Sequence, residues 1–352
     1  MERLPQGDLD HILAHTEGLW GDLRGQSVFV TGGTGFIGTW LLESLLAAND
    51  SLGLRARVAV LTRDPERFAA RSPHLADHPS LHVARGNQTD FAFPEGRFPF
   101  VIHAATETAV DVRAERPLGA FSSNVDGTRR VLEFARSHGV RRFLFTSSGA
   151  VYGRQPPELT HIPEEYPGAP ATIDAESSYG QAKRASEFMS AMYGRMYGFE
   201  ATIGRLFAFV GPLLPLDANF AVGNFIGDAL RGGPVRIAGD GTPYRSYLYA
   251  ADLAIWLWTV LLRGKGAYPY NIGSPQAFTI AELARTVISV VAPGASVEIA
   301  GKPVPGAAPA RYVPSTARAE RGLGLRPLIS MEEGIRRTSS WHRESAVLGS
   351  AG

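Results

Sequence analysis

Cysteine is absent from the 352-residue chain. That excludes disulfides, thiolate catalysis, Cys-ligated zinc and iron–sulfur clusters, and it fits a reducing compartment. Long apolar runs are missing too. The longest, LAIWLWTVLL at Leu253–Leu262, has 10 residues, against the roughly 20 that a membrane-spanning helix needs, and it reads as a buried helix. The opening MERLPQGDLDHILAHTEGLW is polar and lacks the apolar stretch of a secretory signal, so the cytoplasm is the expected location. Nor does one sign of charge dominate. Lys and Arg number 35 and Asp and Glu 34, a formal net charge of +1, which gives no electrostatic case for nucleic acid or an anionic membrane.

What remains is a globular composition, 44% hydrophobic and 20% charged, long enough for two units or one large α/β domain at roughly 150 residues each. Glycine is abundant, at 39 residues, above the usual roughly 7%. Short β-branched and aromatic runs at Ser27–Val30, Arg57–Leu61, Leu81–Ala84, Phe100–His103 and Arg142–Thr146 predict buried parallel strands. Between them, Thr39–Asn49, Phe121–Gly139 and Tyr179–Tyr197 carry helical periodicity. The alternation predicts an α/β fold, a Rossmann-type doubly wound parallel sheet, with a smaller α/β C-terminal substrate lobe. The expected divisions are a helical lead-in over 1–25, a dinucleotide-binding domain over 26–205 and a substrate lobe over 206–345. After residue 205 Pro and Gly cluster, and VEIA, within the stretch from Pro293 to Pro309, is a short strand candidate.

Where the first strand turns into a helix stand Gly32, Gly35 and Gly38. In this context the first glycine permits the turn, the second admits a pyrophosphate and the third lets helix and strand pack closely; the helix N-terminus supplies free N–H groups. On the helix Tyr179–Tyr197, Tyr179 and Lys183 are four residues apart and share a face. A phenol titrates near pH ~10 and must drop roughly three units, about 4 kcal/mol, to act as a base near neutrality. An ammonium and an oxidised nicotinamide both push it that way.

The spacing GxxGxxG resembles the short-chain dehydrogenase/reductase superfamily, and TGGTGFIG resembles its extended branch, the epimerase/dehydratase enzymes that act mostly on nucleotide sugars. The resemblance covers residues 25–340. It implies a cofactor, NAD or NADP, held by Gly32, Gly35, Phe36, Ile37 and Gly38, by Asn87 and Gln88 beside the adenine, by Ala104 and Ala105, and by Tyr179 and Lys183. Thr62 occupies the position usually acidic in NAD enzymes and Arg63 follows it, which leans toward a ribose 2′-phosphate and NADP; Asp64 keeps NAD open. It also implies a catalytic set of Ser148, Tyr179 and Lys183, with Asn124 holding its helix and a proton-relay water. Thr146 and Ser147 are expected to be structural, as is His103 rather than a base. Glu107, Ser148, Asn224 and Arg245 are the implied substrate contacts, with a solvated carboxylate as the alternative for Glu107 and a surface ion pair for Arg245.

Departures narrow the chemistry. Gly149-Ala150 replaces the Asp-Glu pair of dTDP-glucose 4,6-dehydratases, and Ala150 replaces the glutamate of UDP-glucuronate decarboxylases. Ala208 stands where relatives have asparagine, and Ser315 where they have aspartate. The reading is a nucleotide-diphosphate sugar oxidised at C4 to a 4-keto intermediate, with 4-epimerase first. A decarboxylase, a 4,6-dehydratase or a 4-ketosugar reductase are the alternatives, and a nucleotide-sensing scaffold is the rival from another class. Relatives pair as homodimers through the helices Phe121–Gly139 and Tyr179–Tyr197.

Overall fold

Strand β1, Ser27–Thr31, alternates its side chains between two layers: Val28 and Val30 pack into one buried cluster and Phe29 into another. The same alternation runs through the other strands at the centre of the sheet, as the period of two requires for strands buried on both faces. In the computed structural model, which describes residues 3–106, 117–218 and 220–350 apart from the side chains of 347–350, the order is α1 (Gln6–Ala14), β1, α2 (Phe36–Leu52), β2 (Arg57–Thr62), α3 (Pro65–Arg71), α4 (Pro73–Ala76), β3 (Leu81–Arg85), β4 (Phe100–His103), α5 (Pro117–Ser137), β5 (Arg142–Ser148), α6 (Ser178–Tyr197), β6 (Glu200–Leu206), α7 (Ala221–Leu230) and α8 (Ala250–Arg263). The main sheet has seven parallel strands, with Pro269–Ile272 at one edge followed by β6, β5, β4, β1, β2 and β3. The order reverses between β1 and β4, and such a switch point opens a ligand crevice at the carboxyl ends of the strands.

One face carries α2 and α8, with Trp40, Trp256 and Trp258 buried. The other carries α5 and α6 over a phenylalanine cluster that includes Phe29, Phe134 and Phe143. Every residue from Ala250 to Leu262 is buried, so the longest apolar run of the chain is a core helix. Among the described residues no helix is long and apolar enough to cross a membrane.

Two boundaries expected from sequence look different in three dimensions. Pro269–Ile272 pairs with β6 in the main sheet although it lies within the stretch assigned to the C-terminal lobe. The first 25 residues are not a mere lead-in: Leu4, Leu9 and Ile12 enter the main core, and buried Asp8 accepts from Tyr249 Oη at 2.6 Å and Arg337 Nη1 at 2.6 Å. The remaining lobe has its own short pairings. Val235–Ile237 pairs with Val297–Ile299, the strand expected within VEIA. Tyr244–Arg245 lies between Phe278–Thr279 and Arg311–Tyr312.

Candidate active site

The turn after β1 is shaped by backbone crowding. Gly32 has φ +72°, and a Cβ there would stand 2.5 Å from Ala104 C and Ala105 N. At Gly38 a Cβ would collide with the Gly32 carbonyl, so only glycine lets α2 start this close to β1. Gly35 is the N-cap of α2 and no side chain caps that end. The first N–H groups of the helix therefore stay available, with the positive end of the dipole behind them, the arrangement that binds a phosphate. Thr31 ties the next strand in: its carbonyl accepts from Ala104 N at 3.1 Å and its hydroxyl from Ala105 N at 3.2 Å.

These groups border a cavity of about 740 Å³ that also reaches Thr62, Arg63, Asn87, Gln88, Ala104, Ala105, Ser148, Tyr179 and Lys183. A segment far away in the chain thus meets the glycine turn across the switch point. The uncapped α2 terminus, and the open side of Gly35, where only the Gly32 carbonyl lies within 4 Å of a Cβ position, fit a dinucleotide pyrophosphate. At the outer end, Asp64 Oδ1 accepts from Arg67 N at 2.9 Å and caps α3. That carboxylate is engaged in the fold, while Arg63, Arg67 and Arg71 border the cavity. Gln88 turns its amide toward α5, donating to the Ser123 carbonyl at 3.1 Å.

At the inner end β5 delivers three hydroxyls with different partners. Thr146 donates to the His103 carbonyl at 3.2 Å and Ser147 to Glu187 at 2.6 Å. Ser148 instead accepts from Ala150 N at 3.1 Å, and its hydroxyl and that of Thr106 border the cavity together with the Tyr179 phenol, whose pKa both pull down. Asn124 stands one step behind: its Oδ1 accepts from Thr106 Oγ1 at 2.7 Å while its Nδ2 donates to the Ala120 carbonyl at 3.0 Å. Lys183 is buried, donates to the Thr146 carbonyl at 2.7 Å and has its Nζ 5.7 Å from the Tyr179 ring centre.

Burial pushes the Lys183 ammonium down to about 7, against the pull of the Glu187 carboxylate. Burial also pushes the Tyr179 phenol above its ordinary value, and the Ser148 and Thr106 hydroxyls pull it back. The polypeptide alone therefore does not lower this phenol; a bound nicotinamide cation would stabilise its phenolate. His103 is buried and pushed down to about 3 by burial and by Lys183. It stays neutral, bridging Thr31 Oγ1 at 2.7 Å and Thr128 Oγ1 at 3.1 Å, so it staples β1, β4 and α5 together.

Not every expected site residue reaches the cavity wall. Asn224 lies on α7 and Arg245 in the short lobe sheet, where its Nη1 donates to the Tyr244 carbonyl at 2.8 Å. Neither borders the cavity. Glu107 falls outside the described residues. Conversely, Thr106, Arg67 and Phe207 border the cavity and were not expected. Thr106 follows the Ala104–Ala105 segment directly, a signal within reach of sequence reading.

Fold and site together define a dinucleotide-binding enzyme of the extended short-chain dehydrogenase/reductase type. The sequence matches the NAD dependent epimerase/dehydratase family over residues 28–273, more than half of the chain, and the chain belongs to that family. UDP-glucuronic acid decarboxylase 1 of Arabidopsis thaliana is 32% identical over 89% of this chain and 69% of its own length. UDP-glucuronic acid decarboxylase 6 of the same plant is 30% identical over 88% and 86%. Among solved structures, DesIV, the dTDP-glucose 4,6-dehydratase of Streptomyces venezuelae with NAD and TYD bound, superposes with a TM-score of 0.77 at 28% identity, covering 92% of this chain and 98% of that one. The UDP-glucose 4-epimerase of Thermus thermophilus in complex with NAD gives 0.73 at 29% identity, covering 90% and 99%.

Proposed function

We propose that the protein oxidises C4 of a nucleotide-diphosphate sugar and reduces the 4-keto intermediate again, with C4 epimerisation as the net reaction. The observation that carries this reading is the convergence of Ser148, Thr106, Tyr179 and Lys183 at the inner end of the dinucleotide cavity, with no carboxylate at Gly149 or Ala150. A bound nicotinamide dinucleotide supplies the hydride acceptor and donor. Tyr179 takes the proton from the C4 hydroxyl and gives it back, Ser148 holds that oxygen, and Lys183 favours the phenolate electrostatically. Asn124 fixes Thr106 against the phenol. Water elimination across C5 and C6 needs an acid near O6 and a base near C5, which the glycine and alanine cannot supply.

A second reading, decarboxylation of a UDP-uronic acid, is favoured by the 32% identity to a UDP-glucuronic acid decarboxylase. A 4-keto uronic acid is a β-keto acid, and its loss of CO2 needs the ketone rather than a carboxylic acid at residue 149 or 150. Incubation with UDP-, dTDP-, GDP- and CDP-sugars, with products followed together with cofactor absorbance, separates the outcomes. Epimerisation consumes no cofactor, a ketosugar reductase consumes one equivalent per turnover, and decarboxylation releases CO2. Absence of turnover on every sugar sinks the enzyme reading.

The outer end of the cavity supports acceptance of a 2′-phosphate, and hence NADP, because Asp64 is spent on capping α3 while Arg63 and Arg67 flank the cavity. Comparison of NAD and NADP affinities by calorimetry tests it. A homodimer through α5 and α6 is supported by the exposed Leu118, Phe188 and Met196; sedimentation of the purified protein tests that assembly.

A further inference from the structure

Glu187 lies one helical turn beyond Lys183 on α6. Residues four apart on a helix are neighbours, so the chain places a carboxylate where it could pair with the ammonium. Both side chains are buried, where opposite charges attract more strongly than in water. Yet the carboxylate is bonded to other partners. Its Oε1 accepts from Ser147 Oγ at 2.6 Å and from Arg205 Nε at 2.9 Å, and its Oε2 accepts from Arg205 Nη2 at 2.7 Å. Ser147 and Arg205 are register partners on β5 and β6, so two neighbouring strands meet α6 at one point. The guanidinium is itself held in place: Nη1 donates to Tyr152 Oη at 2.9 Å and to the Glu164 carbonyl at 3.1 Å. Tyr152 spends its own hydrogen on Asn271 Oδ1 at 2.7 Å, which makes it an acceptor toward the arginine.

Lys183 has a different environment. Its ammonium carries three hydrogens. One goes to the Thr146 carbonyl at 2.7 Å, and the side chain borders the dinucleotide cavity. The other titratable groups beside it are Tyr179, whose ring centre is 5.7 Å from Nζ, and His103, and both are uncharged at neutral pH. Among the described residues Glu187 is therefore the negative charge that acts on this ammonium.

We propose that Arg205 is a positioning residue of the reaction centre: together with Ser147 it withholds the Glu187 carboxylate from Lys183, which leaves the ammonium free for Tyr179 and the dinucleotide instead of locked in an ion pair along α6. The inference rests on the reading of Lys183 as the cation that assists Tyr179. Neither Arg205 nor Glu187 borders the cavity, so both act through Lys183. A planar fork that takes both carboxylate oxygens suits this task better than a second lysine, because a point charge does not fix both oxygens at once.

Lysine occurs at 183, 265 and 302 and nowhere else in the chain, so lysine isotope-labelled at Cε gives three NMR signals. The Lys183 signal is identified by its loss in Lys183→Met, and its titration is followed in the full chain free of cofactor. Arg205→Met, Glu187→Gln and the double variant are compared with the parent. Arg205→Met should raise the Lys183 midpoint by about one pH unit, since the released carboxylate then pairs with the ammonium. Glu187→Gln should lower it by about one pH unit. The double variant should match Glu187→Gln alone, because Arg205 acts only through the carboxylate. Loosened packing would move Lys183 the same way in both single variants, so the opposite signs separate this role from a merely structural one. Arg205→Lys, which keeps the charge but not the fork, should fall between the parent and Arg205→Met. An unmoved midpoint in Arg205→Met overturns the proposal. So does a rise of equal size with and without Glu187, which would mean direct repulsion between the two cations. Glu187→Gln is nearly isosteric and serves if Arg205→Met does not fold; an unmoved midpoint there overturns the proposal equally. The readout needs no sugar. Opposite shifts in a protein that turns over no nucleotide sugar sink the proposed reaction and leave the withheld carboxylate standing.

Discussion

The two ends of the cavity are built from different kinds of chemistry. At the pyrophosphate end the working groups are backbone amides: Gly32 and Gly35 lie in the turn between β1 and α2 and Gly38 in the first turn of α2. At the other end they are side chains: Thr106, Ser148, and Tyr179 with Lys183 come from three places in the chain. A backbone site depends on local conformation, which short-range sterics dictate. A side-chain site depends on which strands lie next to each other. Substitutions at the first end should therefore disturb folding and cofactor binding, and those at the second should disturb turnover.

The sharpest test of this difference is Tyr179→Phe. Turnover should fall by about 10²–10⁴-fold, while cofactor affinity, measured by calorimetry, stays within about threefold because the phenol acts mainly on the reacting proton. A comparable loss of cofactor affinity would break the comparison. Next in size, Gly32→Ala forces a side chain into φ +72° and against Ala104. It should destabilise the protein by about 1–3 kcal/mol, seen as a lowered thermal midpoint, together with weakened dinucleotide binding. At the adenosine edge, Arg63→Ala should cost about tenfold in NADP affinity, the scale of a charge-assisted hydrogen bond, and leave NAD affinity unchanged; equal losses for both would remove Arg63 from the 2′-phosphate.

A further expected effect is a pH dependence of stability. Lys183 titrates at about 7 in the folded protein against an ordinary 10.5. Between those values the unfolded chain holds the proton and the folded one does not, so stability from this group rises with pH across that window. Below about 7 both states are protonated and burial of the ammonium is felt in full. Replacing Lys183 by Met should flatten that rise in the cofactor-free protein, as read from denaturant midpoints at pH 7 and near pH 10. A steeper rise in the variant contradicts it.

The glycine turn was legible in the sequence because its demands are local: a positive φ at Gly32 and no room for a Cβ at Gly38. Tyr179 and Lys183 were legible because four residues of helix put two side chains on one face. Their pairing with Ser148 depended on recognising a pattern around β5, and the structure supplies its reason, the different partners of Thr146, Ser147 and Ser148. Asn224 and Arg245 were expected at the substrate, yet neither borders the cavity: Asn224 stands on α7 and Arg245 in the short lobe sheet, whose pairings no periodicity encodes. The seventh sheet strand, Pro269–Ile272, was missed because a single isolated strand, far from the βα alternation, joins the sheet only through β6.

By itself the sequence determined five of the seven strands of the sheet, its α/β alternation and the cofactor turn, for these follow from periodicity and from the sterics of neighbouring residues. It also determined which chemistry is absent, since no cysteine exists and no carboxylate stands at 149 or 150. The tertiary structure decided which hydroxyls gather at the Tyr179 end of the cavity, that His103 is a neutral staple, that Asp64 caps α3, and that Tyr312 stands where a side chain at residue 149 would go. Those outcomes depend on burial and on contacts between residues far apart in the chain, and both exist only once the layers have packed.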